Sequence, residues 1–377
     1  MLNDAAPHLN ETQRLLRDSV AQFVARESDV SRARATRVEQ GGFDQATWST
    51  MADNGWLGLR FEEDHGGLGL GLAEAAVVLE ELGRALVPEP VCAATVLAAG
   101  VLARSGNEPL KQAHLPSIAE GREIPALAWQ EQPNCYDPAA IVTRAETSNG
   151  TTRLTGEKRF VPAIGSASAL LVSARGPAGV GVYWVERGAG GLDVRSERSV
   201  DGVDIGRVTL QETPATSVVA ETGGETLIAP ALDEARLLGA AELVGVMSQA
   251  LETTLDYVKQ REQFGQPIGK FQALQHRLVD LWVQTELARS SVIRGVQTFE
   301  NTTDEGRRAE AASAAKARAS DAAMLVTRQG IQLHGGIGYT DACDIGLFLK
   351  RALNLSSWLG NGAVHRRRIA ALPMRGD

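Results

Sequence analysis

The sequence predicts an α+β chain in three blocks: an N-terminal helical domain, a middle antiparallel β domain and a C-terminal helical bundle. Three observations carry this reading. Apolar residues recur at helical spacing through about the first hundred residues; near Gly121 the composition turns to short β-rich runs divided by turn formers; after Pro230 the helical period returns. The corresponding boundaries are 1–119, 120–228 and 229–377. A length of 377 residues, 44% of them hydrophobic and 22% charged, allows two or three domains with a substantial core.

The elements follow in order. Asn10 with Gln13 forms a capping-box start for a helix whose stripe is Leu16, Val20, Phe23 and Val24. Asp44 caps a short helix carrying Trp48 and Met51, which Gly55 ends. A glycine-rich turn, Gly66 to Gly71, leads into an apolar helix from Leu72 to Arg84, and another helix follows Pro90. In the middle block, Ala140–Thr143, Leu170–Ser173 and Gly181–Val185 read as strands, and Asn149-Gly150 as a hairpin turn. Beyond Pro230, Leu243, Met247, Leu251, Leu255 and Val258 form one stripe. Leu274, Leu278, Leu281 and Trp282 begin a second, and an alanine-rich helix runs from about Arg308 to the Gly335-Gly336 stop. The charged 27–40 and 300–309 segments read as solvated surface.

Composition excludes several functions. The 38 Lys and Arg against 46 Asp and Glu, a net charge of −8, have the wrong sign for a nucleic-acid footprint. The three cysteines, Cys92, Cys135 and Cys343, have no metal-ligand spacing, and a reducing cytoplasm is the simplest compartment. No stretch approaches the run of about 20 apolar residues that spans a bilayer, and the N-terminus lacks a signal pattern. Gly67-Leu68-Gly69-Leu70-Gly71 follows no strand and lacks dinucleotide-loop spacing. The six histidines show no metal pattern, and there is no Gly-x-Ser-x-Gly elbow.

The segment from Tyr257 to Gln272 stands out: Arg261-x-x-Phe264-Gly265, then Phe271-Gln272. Taken alone it reads as a helix end, a turn and a helix start, with Phe264 in the core and Arg261 at the surface. A second segment, Gln332-x-x-Gly335-Gly336-x-Gly338, changes the balance. Together with Gly66-Gly67, the Leu127–Glu131 strand and Gly156–Val161, these motifs resemble the acyl-CoA dehydrogenase family, and within it the small-subunit type, as in pimeloyl-CoA dehydrogenase. The resemblance implies a four-helix C-terminal bundle, FAD as cofactor, and α,β-desaturation of an acyl-CoA thioester. A carboxylate removes the α-proton, the β-hydrogen leaves as hydride to the flavin, and an electron-transfer flavoprotein takes the electrons. It assigns FAD contacts to Arg261, Gln263, Phe264, Gln272, Gln332, Gly335 and Gly336, largely toward a neighbouring protomer's flavin, and so implies a homo- or hetero-oligomer. Trp129, Glu131, Phe160 and Val161 would lie against the flavin ring. Asp233 and Arg236 would meet the CoA moiety, or else merely open a helix.

The sequence departs from the family pattern where the chemistry is done. The usual glutamate on a late loop is replaced within Trp358-Leu359-Gly360-Asn361, so Leu359 holds the base position. The alternative position, immediately before an arginine on the first bundle helix, is Ala235, with Glu234 about 100° round the helix. The loop from Glu131 to Asp137 also differs from the family's usual glycine- and serine-containing one. These features leave three readings open: a dehydrogenase with a displaced base, a non-catalytic or half-site subunit of a heteromer, and flavin-dependent elimination that needs no glutamate. Arg84 reads as a helix-end charge or a partner for an acidic acyl terminus.

Overall fold

The structure is a computed structural model and describes residues 9–28, 30–38, 43–219 and 223–372. Helix α1 (Glu11–Glu27) starts with the expected capping box, Asn10 Oδ1 accepting from Gln13 N at 2.9 Å, and buries Val20 and Phe23. Helix α2 (Val30–Val38) lies in the charged segment read as solvated surface. That reading fails for Arg32, whose guanidinium pairs with the buried Glu89, and for Arg34, which pairs with Asp344. Glu39 and Gln40 lie outside the described residues. Helix α3 (Gln45–Asp53) is capped by Asp44 and followed by Gly55 at φ +77°. Helix α4 (Leu72–Arg84) has the expected bounds, and the segment after Pro90 is a π-helical stretch, Cys92–Ala98, continued by α5 (Ala99–Ala103). Helix α6 (Glu108–Ala119) delivers the chain to the sheet.

Seven strands follow: β1 (Pro125–Ala128), β2 (Arg144–Ser148), β3 (Thr151–Pro162), β4 (Ala169–Gly176), β5 (Gly179–Glu186), β6 (Leu192–Arg198) and β7 (Asp204–Val219). Asn149 at φ +53° and Gly150 at φ +78° make the β2–β3 turn, the left-handed pair that matches strand twist. The sheet is mixed rather than purely antiparallel. β1 pairs in parallel with β4, as does β2 at one bridge, Arg144 to Arg175. Parallel pairing needs a long crossover, and the β2–β3 hairpin inserted between β1 and β4 supplies it. The path β4-β5-β7-β3-β2 thereby returns to β4 around a small core that includes Leu154, Leu170, Val172 and Val208.

Helix α7 (Gly224–Gln260) begins before Pro230, not after it; Pro230 falls in the second turn, where it removes the hydrogen bond its N–H would have made to the Thr226 carbonyl. Helices α8 (Gln272–Asn301), α9 (Glu305–His334), α10 (Ile345–Ser357) and α11 (Gly362–Ala371) complete the helical block. The α7 stripe is buried as expected. On α8, Leu278 and Leu281 are buried, but Trp282 is exposed with Val279, Val283 and Leu287, so its stripe faces outward. No helix among the described residues is long and apolar enough to cross a membrane.

α7 and α4 meet backbone to backbone. A Cβ on Gly245 would strike the Glu80 carbonyl oxygen, and one on Gly83 would strike that of Glu242. Deeper in the bundle, the Lys316 ammonium donates to the carbonyls of Leu355 (2.7 Å) and Gly360 (3.3 Å), satisfying the end of α10, and burial pushes its pKa down to about 7. His365 packs beside it, fully buried; burial first, then Lys316, Arg236 and Arg368, lower its pKa to about 3.

Two predictions follow from this packing. Gly245→Ala should separate α7 from α4 and cost about 2–3 kcal/mol, read as a lower denaturation midpoint at unchanged slope; an unchanged midpoint would sink the close-contact account. Below pH 6.5 an unfolded histidine takes a proton that folded His365 refuses, so stability falls as pH drops from about 6.5 toward 3. His365→Leu should remove that component, up to about 2 kcal/mol between pH 6.5 and 5. Parallel pH profiles for the two proteins would contradict it.

Candidate functional site

Both flavin-type motifs arrive at the ends of long bundle helices. α7 stops at Gln260, and Glu262–Gln263 pairs with Gln266–Pro267 in a two-residue-loop hairpin whose turn is Phe264 (φ +54°) and Gly265 (φ +78°). That turn throws Phe264 outward: it is 92% exposed, not in the core, and touches Phe271 edge-on at 6.1 Å. Arg261 is exposed and its guanidinium makes no ion pair among the described residues. At the end of α9, Gln332, Gly335 (φ +68°) and Gly336 are exposed, and a Cβ on either glycine would meet nothing within 4 Å. The two motifs are tied together by Tyr257, which stacks on His334 at 4.3 Å and donates to the His334 carbonyl at 3.1 Å. Gln272 starts α8 on the exposed side.

This edge fits part of an FAD contributed from outside the chain. A free guanidinium suits a pyrophosphate, an exposed aromatic suits a purine face, and bare glycines allow close approach of the backbone.

The β-domain candidates are placed differently. Trp129 and Val161 are buried. The Glu131 carboxylate accepts from Lys158 Nζ (2.7 Å) and from the amides of Val142 (2.8 Å) and Thr143 (3.0 Å), so it organises the altered loop. Lys158 itself is fully buried, and burial lowers its pKa to about 8. Phe160, at φ +56° and 44% exposed, and Pro162 reach outward where a bulge interrupts the β3–β7 ladder.

Pro162 and Ala163 form one wall of a narrow cleft with about 60 Å³ of free space. Leu79 and Leu82 of α4, the Val87–Ala93 segment, Val203–Ile205, Glu242 of α7 and Arg351, Asn354, Leu355 and Trp358 of α10 and its exit supply the rest. It is mostly apolar with a few convergent polar groups, the usual composition of a small-molecule site.

At the expected base positions the structure holds no free carboxylate. Leu359 is buried at φ +58°, an uncommon conformation for leucine, and its carbonyl accepts from Arg236 Nε at 3.3 Å. Ala235 is buried, and the Cys92 thiol lies 3.9 Å from its carbonyl. Glu234 does not face the cleft: it bridges Arg60 (2.7 Å) and Arg104, which outweigh the opposing effect of burial and hold its carboxyl below the usual range. Asp233 and Arg236 come together as one buried ion pair (2.7 Å), shared with Arg368, rather than as separate contacts for a ligand. Arg84 is likewise committed, to Glu252 (2.5 Å), Gln249 (2.8 Å) and Glu81 (3.7 Å).

Sequence reasoning passed over Glu242 and Arg351. Arg351 binds Glu242 Oε1 through Nε (3.0 Å) and Nη2, and reaches Asp201 (3.1 Å) and the Val87 carbonyl (3.3 Å). The available signal was a lone acid in the apolar run Leu237 to Met247. Among the described residues no group of three or more His, Cys, Asp or Glu is placed to hold a metal ion.

Comparison with known proteins agrees along the whole chain. Residues 10–122 match the family model described as acyl-CoA dehydrogenase, N-terminal domain, and residues 222–372 match that of the C-terminal domain. Acyl-CoA dehydrogenase IpdE2 of Mycolicibacterium smegmatis is 32% identical over 96% of this chain and 99% of its own. Among solved structures, a variant of the Tcur3481-Tcur3483 steroid ACAD is 32% identical with a TM-score of 0.87, covering 96% of this chain and 97% of that one. The ChsE4-ChsE5 complex of Mycobacterium tuberculosis is 25% identical with a TM-score of 0.88, covering 97% and 99%. The chain belongs to the acyl-CoA dehydrogenase family.

Proposed function

We propose that the chain binds FAD and an acyl-CoA, acts in the oxidation of the thioester's Cα–Cβ bond, and hands the electrons to an electron-transfer flavoprotein. The observation that carries this is the pairing of an exposed Arg261–Phe264 and Gly335–Gly336 edge with an apolar cleft walled by Pro162 and Trp358. FAD, when bound, supplies a hydride acceptor. The chain's own residues do the rest. Arg261 neutralises pyrophosphate, with Gln263, Phe264, Gln272, Gln332, Gly335 and Gly336 around the remainder of a neighbour's cofactor. Phe160 and Pro162 present the β-domain surface to the ring. The apolar cleft excludes water and holds the acyl chain among Leu79, Leu82, Pro162 and Trp358.

A second reading is favoured by one specific observation. Neither Leu359 nor Ala235 can take a proton, and Glu234 is locked by two arginines. A half-site subunit, completed by a homologous partner that carries the carboxylate, accounts for this. The relatives Tcur3481-Tcur3483 and ChsE4-ChsE5 are two-component proteins by name, which supports it. Elimination chemistry without a base has no observation in its favour.

Two experiments separate these. Leu359→Glu places a carboxylate on the loop beside Arg236, and a general base contributes about 10²–10⁴-fold. In a chain with a complete site of its own, acyl-CoA-dependent reduction of an artificial acceptor should rise at least 100-fold; no rise, with flavin retained, points to a missing partner. Light scattering with flavin quantitation gives the second test. A half-site subunit should purify alone with less than one FAD per chain and gain flavin on co-expression with its partner, whereas a stable homotetramer with one FAD per chain excludes the half-site reading.

A further inference from the structure

Among the carboxylates that line the cleft, Glu89 is bound by Arg32 and by the Asp44 amide (3.3 Å), and Asp204 by the Gly165 amide and the Ser196 hydroxyl. Glu242 differs. Both of its hydrogen bonds, from Arg351 Nε (3.0 Å) and Nη2, end on Oε1. Its Oε2 accepts none among the described residues, although the residue is only 5% exposed and lines the cleft.

Asn354, one turn beyond Arg351, repeats the pattern. Its amide NH2 donates to both oxygens of Asp201 (3.0 and 2.9 Å), which fixes the flip because an ionised carboxylate only accepts. Its Oδ1 makes no hydrogen bond among the described residues, and the residue also lines the cleft. The polar face of the cleft therefore offers two acceptors. The cation beside them, Arg351, already makes four hydrogen bonds inward.

Glu242 is too distant to be the missing base. It lies seven residues beyond Ala235 on the same face of α7, about 10.5 Å along the axis, farther than a glutamate side chain reaches. That offset instead places it beside carbons well beyond the reacting pair of an acyl chain that starts near Ala235 and Leu359.

We infer that Glu242 Oε2 and Asn354 Oδ1 form a subsite for a hydroxyl group carried on the acyl chain of the substrate. This rests on the proposed acyl-CoA reading of the cleft. A hydroxyl donates to either acceptor. A plain alkyl chain would cover a charged oxygen without replacing its water, a ketone brings no donor, and a terminal carboxylate meets Glu89, Asp204 and Glu242 with no uncommitted cation in the cleft. The subsite thus selects against dicarboxylic chains of the pimeloyl kind.

The test is calorimetric binding of matched acyl-CoAs of one chain length to the FAD-loaded protein in its purified assembly. The chains are unsubstituted, hydroxylated at successive carbons beyond the β-carbon, oxidised to the ketone at those carbons, or ended by a carboxylate. One hydroxyl position should bind about 10- to 100-fold more tightly than the plain chain, the effect of one hydrogen bond to a charged acceptor. Glu242→Gln keeps an oxygen for Arg351 and turns an amide donor to the cleft, so it should reduce the hydroxyl preference, since a neutral amide replaces a charged acceptor, and should admit the ketone, which accepts from that amide. Asn354→Leu leaves the Glu242–Arg351 pair whole and should reduce the same ratio, which decides the matter if Glu242→Gln does not fold. The inference is overturned if no hydroxyl position gains affinity, if the carboxylate-ended chain binds best, or if both variants keep the wild-type ratio. Binding of plain acyl-CoA with no hydroxyl preference would sink the subsite alone, whereas failure to bind any acyl-CoA would take the dehydrogenase reading with it.

Discussion

The contact on which the rest of the molecule depends is the backbone-to-backbone approach of α7 to α4. Gly83 and Gly245 let the two helices close to a distance at which any side chain would strike the opposing carbonyl. That fixes both the azimuth and the axial position of a 37-residue helix, and α7 carries almost everything else of interest. Going round it, Asp233 faces α11, Glu234 faces the N-terminal helices through Arg60 and Arg104, Ala235 faces Cys92, and Arg236 faces the Leu359 loop. Two turns on, Glu242 reaches α10, and at the far end Tyr257 meets α9. A helix free to rotate by one residue would exchange these roles.

The same rigidity explains why the loss of a single carboxylate is not repaired nearby. A buried glutamate survives ionised only where cations or amides compensate it. The acids of α7 are so compensated: Asp233 by Arg236 and Arg368, Glu234 by Arg60 and Arg104, Glu242 by Arg351. Withdrawing Asp233 or Glu242 to serve Leu359's position would leave the buried Arg236 or Arg351 without its carboxylate, and withdrawing Glu234 would unpair two half-buried arginines. On the opposite side Lys316 holds the α10 terminus and the Gly360 carbonyl, so the loop keeps its shape, with Leu359 at positive φ, without the residue that usually occupies it.

How much of this the sequence discloses depends on the range of the interaction. Local rules set the start and end of α4, the Asn10 box, the Asp44 cap and the Asn149-Gly150 turn, since each is decided within a few residues. The parallel β1–β4 pairing was not legible, because strand partners more than 40 residues apart leave no periodic trace. Charge misled in the 27–40 segment: Arg32 looks like solvated surface until Glu89 is brought beneath it. Trp282 counted as a core residue by helical spacing, but spacing identifies a stripe without saying which way it points. Of the site, the Arg261 and Gly335-Gly336 edge was recognisable only through the resemblance of its two motifs to the family pattern; its exposure is what the structure adds. Asp233 and Arg236 carried the right chemistry but meet each other.

The two halves of a flavin site of this kind share helix α7 but lie at different points along it. The Arg261 hairpin and the Gly335 loop hang from helix ends, tied by one stack between Tyr257 and His334, and their side chains contact little else in this chain. The cleft walled by Pro162 and Trp358 is held by α4, α7, α10 and the sheet. No residue that anchors one half anchors the other. A change at Leu359 therefore leaves the hairpin edge intact, and loss of the edge would not open the cleft. A chain so constructed can give up proton abstraction while keeping cofactor support and acyl selection, because the polar side chains responsible for the latter, Glu242 and Asn354, are oriented by Arg351 and Asp201 rather than by anything at the reacting end.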